Sequence, residues 1–144
     1  MNPEKPHTNN DTLSCTILVA EDEPVTRMAL EHHLNNNGYR VHTAVDGREA
    51  LRLLEQTLPD LIITDIMMPF TSGLELVGIV RSTQQQHIPV IVLSAIDEEA
   101  TVMEAFSLGA DDFITKPFAP NELSIRVKRL LNQYRKSTHT SPLS

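Results

Sequence analysis

The chain has 144 residues and carries 12 Lys and Arg against 19 Asp and Glu, a formal charge of −7 with six His taken as neutral. That length fits one domain of ordinary size and not two, and at 40% hydrophobic and 22% charged most of it should build a core. The acidic balance argues against a whole-surface nucleic-acid binder, and no apolar run approaches the ~20 residues that cross a bilayer.

Residues 1–14 are polar, contain two prolines and lack the apolar stretch of a secretory signal, so they read as a flexible tail. The single cysteine, Cys15, rules out an internal disulfide and a CxxC motif, which suits a reducing cytoplasm. From there a short apolar run followed by a helical stretch recurs five times. The runs are Thr16–Glu21, Arg40–Ala44, Asp60–Asp65, Pro89–Ser94 and Asp112–Thr115. The first, third and fourth are apolar on consecutive residues, as strands buried on both faces of a parallel sheet should be. Pro24 suits a first helical turn and Gly38 a helix stop. Leu123, Val127, Leu130, Leu131 and Tyr134 line one face of a last helix from Pro120 to Arg135. Residues 137–144 read as a second tail or the start of a linker, leaving a domain over 15–136. Strands alternating with helices of this length predict an α/β fold, a doubly wound five-stranded parallel sheet with five helices.

In such sheets ligands bind beyond the carboxyl ends of the strands. Those ends carry Glu21 and Asp22, Asp65, Ser94 and Lys116. Taken singly, each is an ordinary polar loop residue. Together they place three carboxylates, a hydroxyl and an ammonium on one edge. Clustered carboxylates repel unless a cation sits among them, and their hard oxygens suit Mg²⁺. A carboxylate beside a metal can attack a phosphoryl group, with Lys116 and the Ser94 hydroxyl holding the equatorial oxygens.

The stretches Val19-Ala-Glu-Asp-Glu-Pro24, Asp65-Ile-Met-Met-Pro-Phe-Thr-Ser-Gly73, Leu93-Ser-Ala95 and Gly109-Ala-Asp-Asp-Phe-Ile-Thr-Lys-Pro-Phe118 resemble the receiver domain of bacterial two-component response regulators. The resemblance spans about residues 16–135 at the family's order and spacing. It implies the flavodoxin-like strand order 2-1-3-4-5. It also implies that Asp65 is the phosphoacceptor, taking phosphate from a phosphohistidine on a sensor histidine kinase or histidine phosphotransfer protein. Asp22 resembles the direct Mg²⁺ ligand and Glu21 the neighbouring acid, where the family often has Asp; Asp65 and the Met67 backbone carbonyl complete the set. Lys116 resembles the phosphate-binding lysine, and Lys116–Pro117 a peptide that is cis in the family. Ser94 and Phe113 match the switch pair, whose inward movement reshapes helix 4, strand 5 and helix 5 for an output partner or output domain. Phe113 has no hydroxyl, so rotamers held by a hydrogen bond are excluded there.

Met67 and Ile96 flank the site, beside Ala95, over the path of a water attacking the acyl phosphate. Apolar side chains cannot orient that water, so the phosphoryl group should be long-lived; simple covering of the core is the plainer reading of both. Between Ile88 and Thr115 there is no Lys or Arg, whereas Asp97, Glu98, Glu99, Glu104, Asp111 and Asp112 are acidic. Five of the twelve basic residues (Arg126, Lys128, Arg129, Arg135 and Lys136) crowd the last helix, either complementing its dipole or forming a docking surface. Glu122 and Arg126 match charged positions of the DNA-binding subfamily that dimerises through helix 4, strand 5 and helix 5. The helix 4 base is missing, so Glu122 should lack its partner and any such homodimer, through Asp111 or Asp112 with Arg126 or Arg129, should be weakened.

Adjacent His32 and His33 would point about 100° apart on a helix and do not form a metal pair. Gly47, Gly73 and Gly109 read as turn and cap residues, and no glycine-rich phosphate loop is present. Two other functions share this chemistry or topology. An aspartyl-phosphate phosphatase generally needs a carboxylate two residues after its nucleophile, where Met67 stands. A flavodoxin-like FMN electron carrier needs a phosphate cradle after the first strand, where Glu21-Asp22-Glu23 would repel one. Only eight residues follow position 136, too few for an output domain, so the expectation is either a stand-alone module acting through protein contacts or part of a longer regulator. Neither direct nucleic-acid binding nor membrane insertion is expected.

Overall fold

Successive side chains of a strand point to opposite faces of its sheet. In β1 (Thr16–Ala20), Ile17 and Val19 therefore enter one core, Leu18 and Ala20 the other. The computed structural model describes residues 15–140, with side chains as far as Tyr134. The segments 1–14 and 141–144, read above as tails, lie outside the described residues.

β2 (Arg40–Ala44), β3 (Leu61–Thr64), β4 (Val90–Ser94) and β5 (Asp112–Thr115) join β1 in one parallel sheet ordered β2-β1-β3-β4-β5. This is the expected doubly wound order. The central strands β1, β3 and β4 are buried almost throughout, which is why they read as unbroken apolar runs. β2 lies at the edge and alternates, with Arg40 and His42 in solvent. Five helices connect the strands: α1 (Pro24–Asn36), α2 (Gly47–Thr57), α3 (Gly73–Thr83), α4 (Glu99–Leu108) and α5 (Pro120–Thr140). Leu30 and Leu34 of α1, with Leu123, Val127, Leu130 and Leu131 of α5, cover the first face. Leu54 of α2, Leu76, Val77 and Val80 of α3 and Ala105 of α4 cover the second.

Gly38 ends α1 with φ 95°, as expected of a helix stop. α5 continues to Thr140, past the expected end at Arg135 and into the first four residues of the segment read as a tail. Ser137-Thr138-His139-Thr140 contains no Gly or Pro, and the first breaker is Pro142. Two hydrogen bonds carry the parallel ladder one step past the strands, from Asp65 N–H to the Ala20 carbonyl (3.0 Å) and from Lys116 N–H to the Ser94 carbonyl (2.9 Å). They gather the strand ends into a single cluster.

Candidate functional site

Backbone contacts fix the segments that carry the carboxylates of that cluster; Glu21 and Asp65 are buried and Asp22 is exposed. Glu21 N–H bonds the Ala44 carbonyl of β2 at 3.0 Å. Arg27, one turn into α1, donates from Nη1 to the carbonyls of Glu21 (2.9 Å) and Asp22 (3.3 Å). Glu23 instead caps α1, accepting from Thr26 N–H at 2.7 Å, and hydrogen bonds from Thr26, first from its side chain and then from its backbone, hold the carboxyl below the usual range. At the end of β3, Gly73 N–H bonds the Ile66 carbonyl at 2.8 Å. A Cβ on Gly73 would lie 1.9 Å from the Asp65 carbonyl oxygen, so only glycine allows this close approach.

The carboxylate oxygens of Glu21, Asp22 and Asp65 lie within 4.8 Å of one another. Lys116 Nζ sits between two of them, 2.8 Å from Glu21 Oε1 and 3.0 Å from Asp65 Oδ2. Asp65 Oδ1 accepts from Ile66 N–H at 2.6 Å, and Glu21 Oε2 from Glu23 N–H at 3.1 Å. Burial pushes the Glu21 carboxyl up, against the pull of the Lys116 ammonium. Burial also depresses Lys116, but its contacts with Glu21 and Asp65 outweigh that and leave it raised. One ammonium among three carboxylates leaves two negative charges in excess. Moreover, Glu21 Oε1 is buried, and beyond its ion contact with Lys116 it has no donor among the described residues. Hard oxygens, an excess charge of that size and an oxygen with open valence fit a divalent cation such as Mg²⁺.

The other expected residues surround this cluster at different depths. Ser94 is buried, its Oγ accepting from Ile96 N–H at 2.9 Å. Phe113 pairs with Val92, two residues before Ser94, and packs half-buried against the α2–α3–α4 face. Phe113 and Ser94 therefore share one side of the sheet. Met67 is 64% exposed and Ile96 half-buried. Ala95 is exposed and, with Val25, Ala29 and Phe118, lines a groove of about 350 Å³ that reaches Lys116 and Pro117. The Lys116–Pro117 peptide is cis.

Asp111, just before β5, and Asp112, its first residue, both have partners within the chain. Asp112 receives Arg126 Nη1 at 2.6 Å, and Arg126 Nη2 also reaches Glu122 at 2.8 Å. Glu122 is thus partnered within its own helix, because the i,i+4 spacing puts Arg126 on its face. Asp111 takes Arg81 (2.6 Å), His87 (2.9 Å), Tyr134 (3.1 Å) and the Val90 N–H (2.8 Å). His33, expected to bind no metal with His32, instead bonds Ser124 Oγ at 2.7 Å, joining α1 to α5. Gly109 caps α4 with φ 115°, whereas Gly47 and Gly73 open helices against loop backbone.

Sequence reasoning missed Arg27, Arg81 and a contact between Arg48 of α2 and Phe70, whose ring lies 3.9 Å beneath the guanidinium. None carries a local signal, because each acts on a segment distant in sequence or on backbone atoms.

Comparison with known proteins agrees with this geometry. The family profile of the response regulator receiver domain matches residues 17–128. The alkaline phosphatase synthesis transcriptional regulatory protein PhoP of Bacillus subtilis is 43% identical over 117 residues, 81% of this chain and 48% of that protein. A probable transcriptional regulator, ycf27 of Guillardia theta, is 39% identical over 128 residues, 89% of this chain and 50% of that one. The chain spans about half the length of the curated relatives it matches. A solved Francisella response regulator 1452 receiver domain superposes with a TM-score of 0.78 at 37% identity, covering 83% of this chain and 98% of that one. Among the described residues, no helix is long and apolar enough to cross a membrane. With its strand order, acidic cluster and family match in agreement, the chain belongs to the response regulator receiver domain family of two-component signalling.

Proposed function

We propose that this domain, in the cytoplasm, accepts a phosphoryl group on Asp65 from the phosphohistidine of a sensor histidine kinase or histidine phosphotransfer protein. The observation that carries the reading is Lys116 Nζ bridging Glu21 and Asp65 inside a cluster of three carboxylates. An Asp65 carboxylate oxygen attacks phosphorus, an O–P bond forms, and the N–P bond breaks with the electron pair returning to the imidazole. Glu21, Asp22, Asp65 and the Met67 carbonyl would hold Mg²⁺, which would supply positive charge to offset that of the phosphoryl group. Lys116 pairs with the phosphoryl oxygens in place of its present carboxylate contact. Ser94 lies at the adjacent strand end to donate its hydroxyl to the same group, and Phe113 follows it along their common side of the sheet.

The surface of α4, β5 and α5 then meets an output partner or domain. The relatives are named transcriptional regulators and are about twice as long, which favours control of transcription as the output class. A phosphatase is disfavoured by Met67, exposed where an acid or base would be required. An FMN carrier is disfavoured by the acidic cluster after β1. The test is phosphorylation by a small-molecule acyl phosphate with Mg²⁺, followed by intact mass. One hydroxylamine-labile phosphoryl group is expected, lost in Asp65→Asn and in the presence of a chelator. Equal labelling of Asp65→Asn would overturn the assignment.

A further inference from the structure

The β3–α3 loop, residues 65–72, carries both Asp65 and the Met67 carbonyl, yet few hydrogen bonds of its own fix its middle. Gly73 N–H ties its root to Ile66, and Thr71 N–H bonds the Pro69 carbonyl at 3.0 Å. Its tip is braced from outside by the start of α2. Gly47 N–H donates to the Pro69 carbonyl at 3.1 Å, and a Cβ on Gly47 would stand 2.0 Å from the Thr71 carbonyl oxygen. Between these two contacts lies Phe70. Its φ is 72°, a left-handed conformation that strains a bulky residue, and its side chain is 66% exposed. Neither burial nor backbone preference keeps it there. The contact that offsets the strain is the Arg48 guanidinium, 3.9 Å over the ring centroid. The cation lies over the aromatic face and belongs to α2, whose first turn is fixed by the Asp46 cap accepting from Glu49 N–H at 2.8 Å.

We propose that Arg48 is a positioning residue that, acting through the face of Phe70, holds the β3–α3 loop and with it the Met67 carbonyl and Asp65. This rests on the reading of the acidic cluster as a Mg²⁺ and phosphoryl site. The pairing also explains why phenylalanine is tolerated at a left-handed position where glycine or asparagine would fit without strain.

The test uses the full chain and two readouts: amide hydrogen exchange of Thr71 and Gly73 without metal, and Mg²⁺ affinity by calorimetry. In Arg48→Ala both should loosen by about two- to fivefold, the factor one exposed cation–π contact supplies. Arg48→Lys, which keeps the charge but not the plane, should fall between. In a Phe70→Gly background, Arg48→Ala should change neither readout, because glycine holds the turn unaided and no ring remains to be gripped. Unchanged exchange and affinity in Arg48→Ala would refute the proposal, as would an Arg48→Ala effect that survives Phe70→Gly. If the unaltered chain binds no Mg²⁺, the functional reading fails while the exchange data still decide whether Arg48 holds the loop.

Discussion

Replacing Glu21 by Gln should make the metal-free protein more stable, although it removes a side chain from the functional cluster. Glu21 is 1% exposed, and its carboxylate faces those of Asp22 and Asp65 within 4.8 Å and the Lys116 ammonium at 2.8 Å. At an effective dielectric of 20, each repulsion is worth at least about 3.5 kcal/mol and the attraction about 6 kcal/mol. Repulsion wins by about 1 kcal/mol, and burial adds a desolvation cost that Gln largely avoids. The variant should therefore gain about 1–2 kcal/mol, or about 3–8 °C in Tm for a domain of this size. Differential scanning calorimetry at pH 7 with a chelator measures it.

The same variant should respond to pH and metal in defined directions. Burial raises the Glu21 carboxyl above its ordinary value of 4.5, so the folded state holds that proton more tightly than the unfolded chain. The penalty is absent below the ordinary value and grows as pH rises through and above it. The advantage of Gln should vanish at pH 4 or lower. Added Mg²⁺ should stabilise the unaltered chain more than the variant, which lacks one charged ligand, and close the gap. A variant less stable than the parent in chelator at pH 7 would show that Lys116, and not mutual repulsion, sets the energy of this cluster.

Gly73→Ala should cost about 1–3 kcal/mol in chemical denaturation and abolish phosphoryl uptake, because its Cβ must displace the Asp65 carbonyl 1.9 Å away. Uptake at the parental rate would show that the loop can shift without disturbing Asp65. Met67→Asn combined with Ile96→Glu should shorten the life of the acyl phosphate, followed by loss of the labelled mass with time; an unchanged rate would show that neither side chain governs water. Asp111→Ala removes the acceptor shared by Arg81, His87, Tyr134 and Val90 N–H. With Arg81 and His87 partly solvated, the expected loss is about 2–3 kcal/mol in urea unfolding. A change below about 0.5 kcal/mol, the size of an ordinary surface substitution, would reduce Asp111 to a solvated surface charge.

The sheet was legible because burial on both faces writes unbroken apolar runs into β1, β3 and β4, and five strands in all with helices between them allow few topologies. The cluster was legible for a related reason: a strand end fixes where Glu21, Asp65, Ser94 and Lys116 emerge, whatever the loops do. What stayed hidden depends on contacts between segments. Nothing in Pro69-Phe70-Thr71 marks a left-handed residue, since phenylalanine is a poor choice for one and its support comes from Arg48 on another helix. Gly73 reads as a helix start, and only the fold shows the Asp65 backbone pressed against it.

The acidic stretch from Ile88 to Thr115 shows how charge counted along a chain differs from charge on a surface. It contains no base, yet Arg81 and His87 from before it and Arg126 from after it converge on Asp111 and Asp112. The residual negative charge on that side lies on and before α4, at Asp97, Glu98, Glu99 and Glu104, all exposed. Association of two copies through α4, β5 and α5 would have to exchange the Arg126 contacts with Asp112 and Glu122 for similar ones across the interface. Such an exchange returns little free energy, since partly exposed pairs are worth at most about 1 kcal/mol each. Within the chain, Arg126 is held above its ordinary range mainly by its bond to Asp112. Any dimer through this face must therefore draw its affinity from apolar contact, and exposed Met103 and Phe106 on α4 and Ile125 on α5 are the groups able to supply it. Raising the salt concentration should accordingly leave such a dimer nearly unchanged in sedimentation, whereas steep weakening would mean that the charge pairs do exchange.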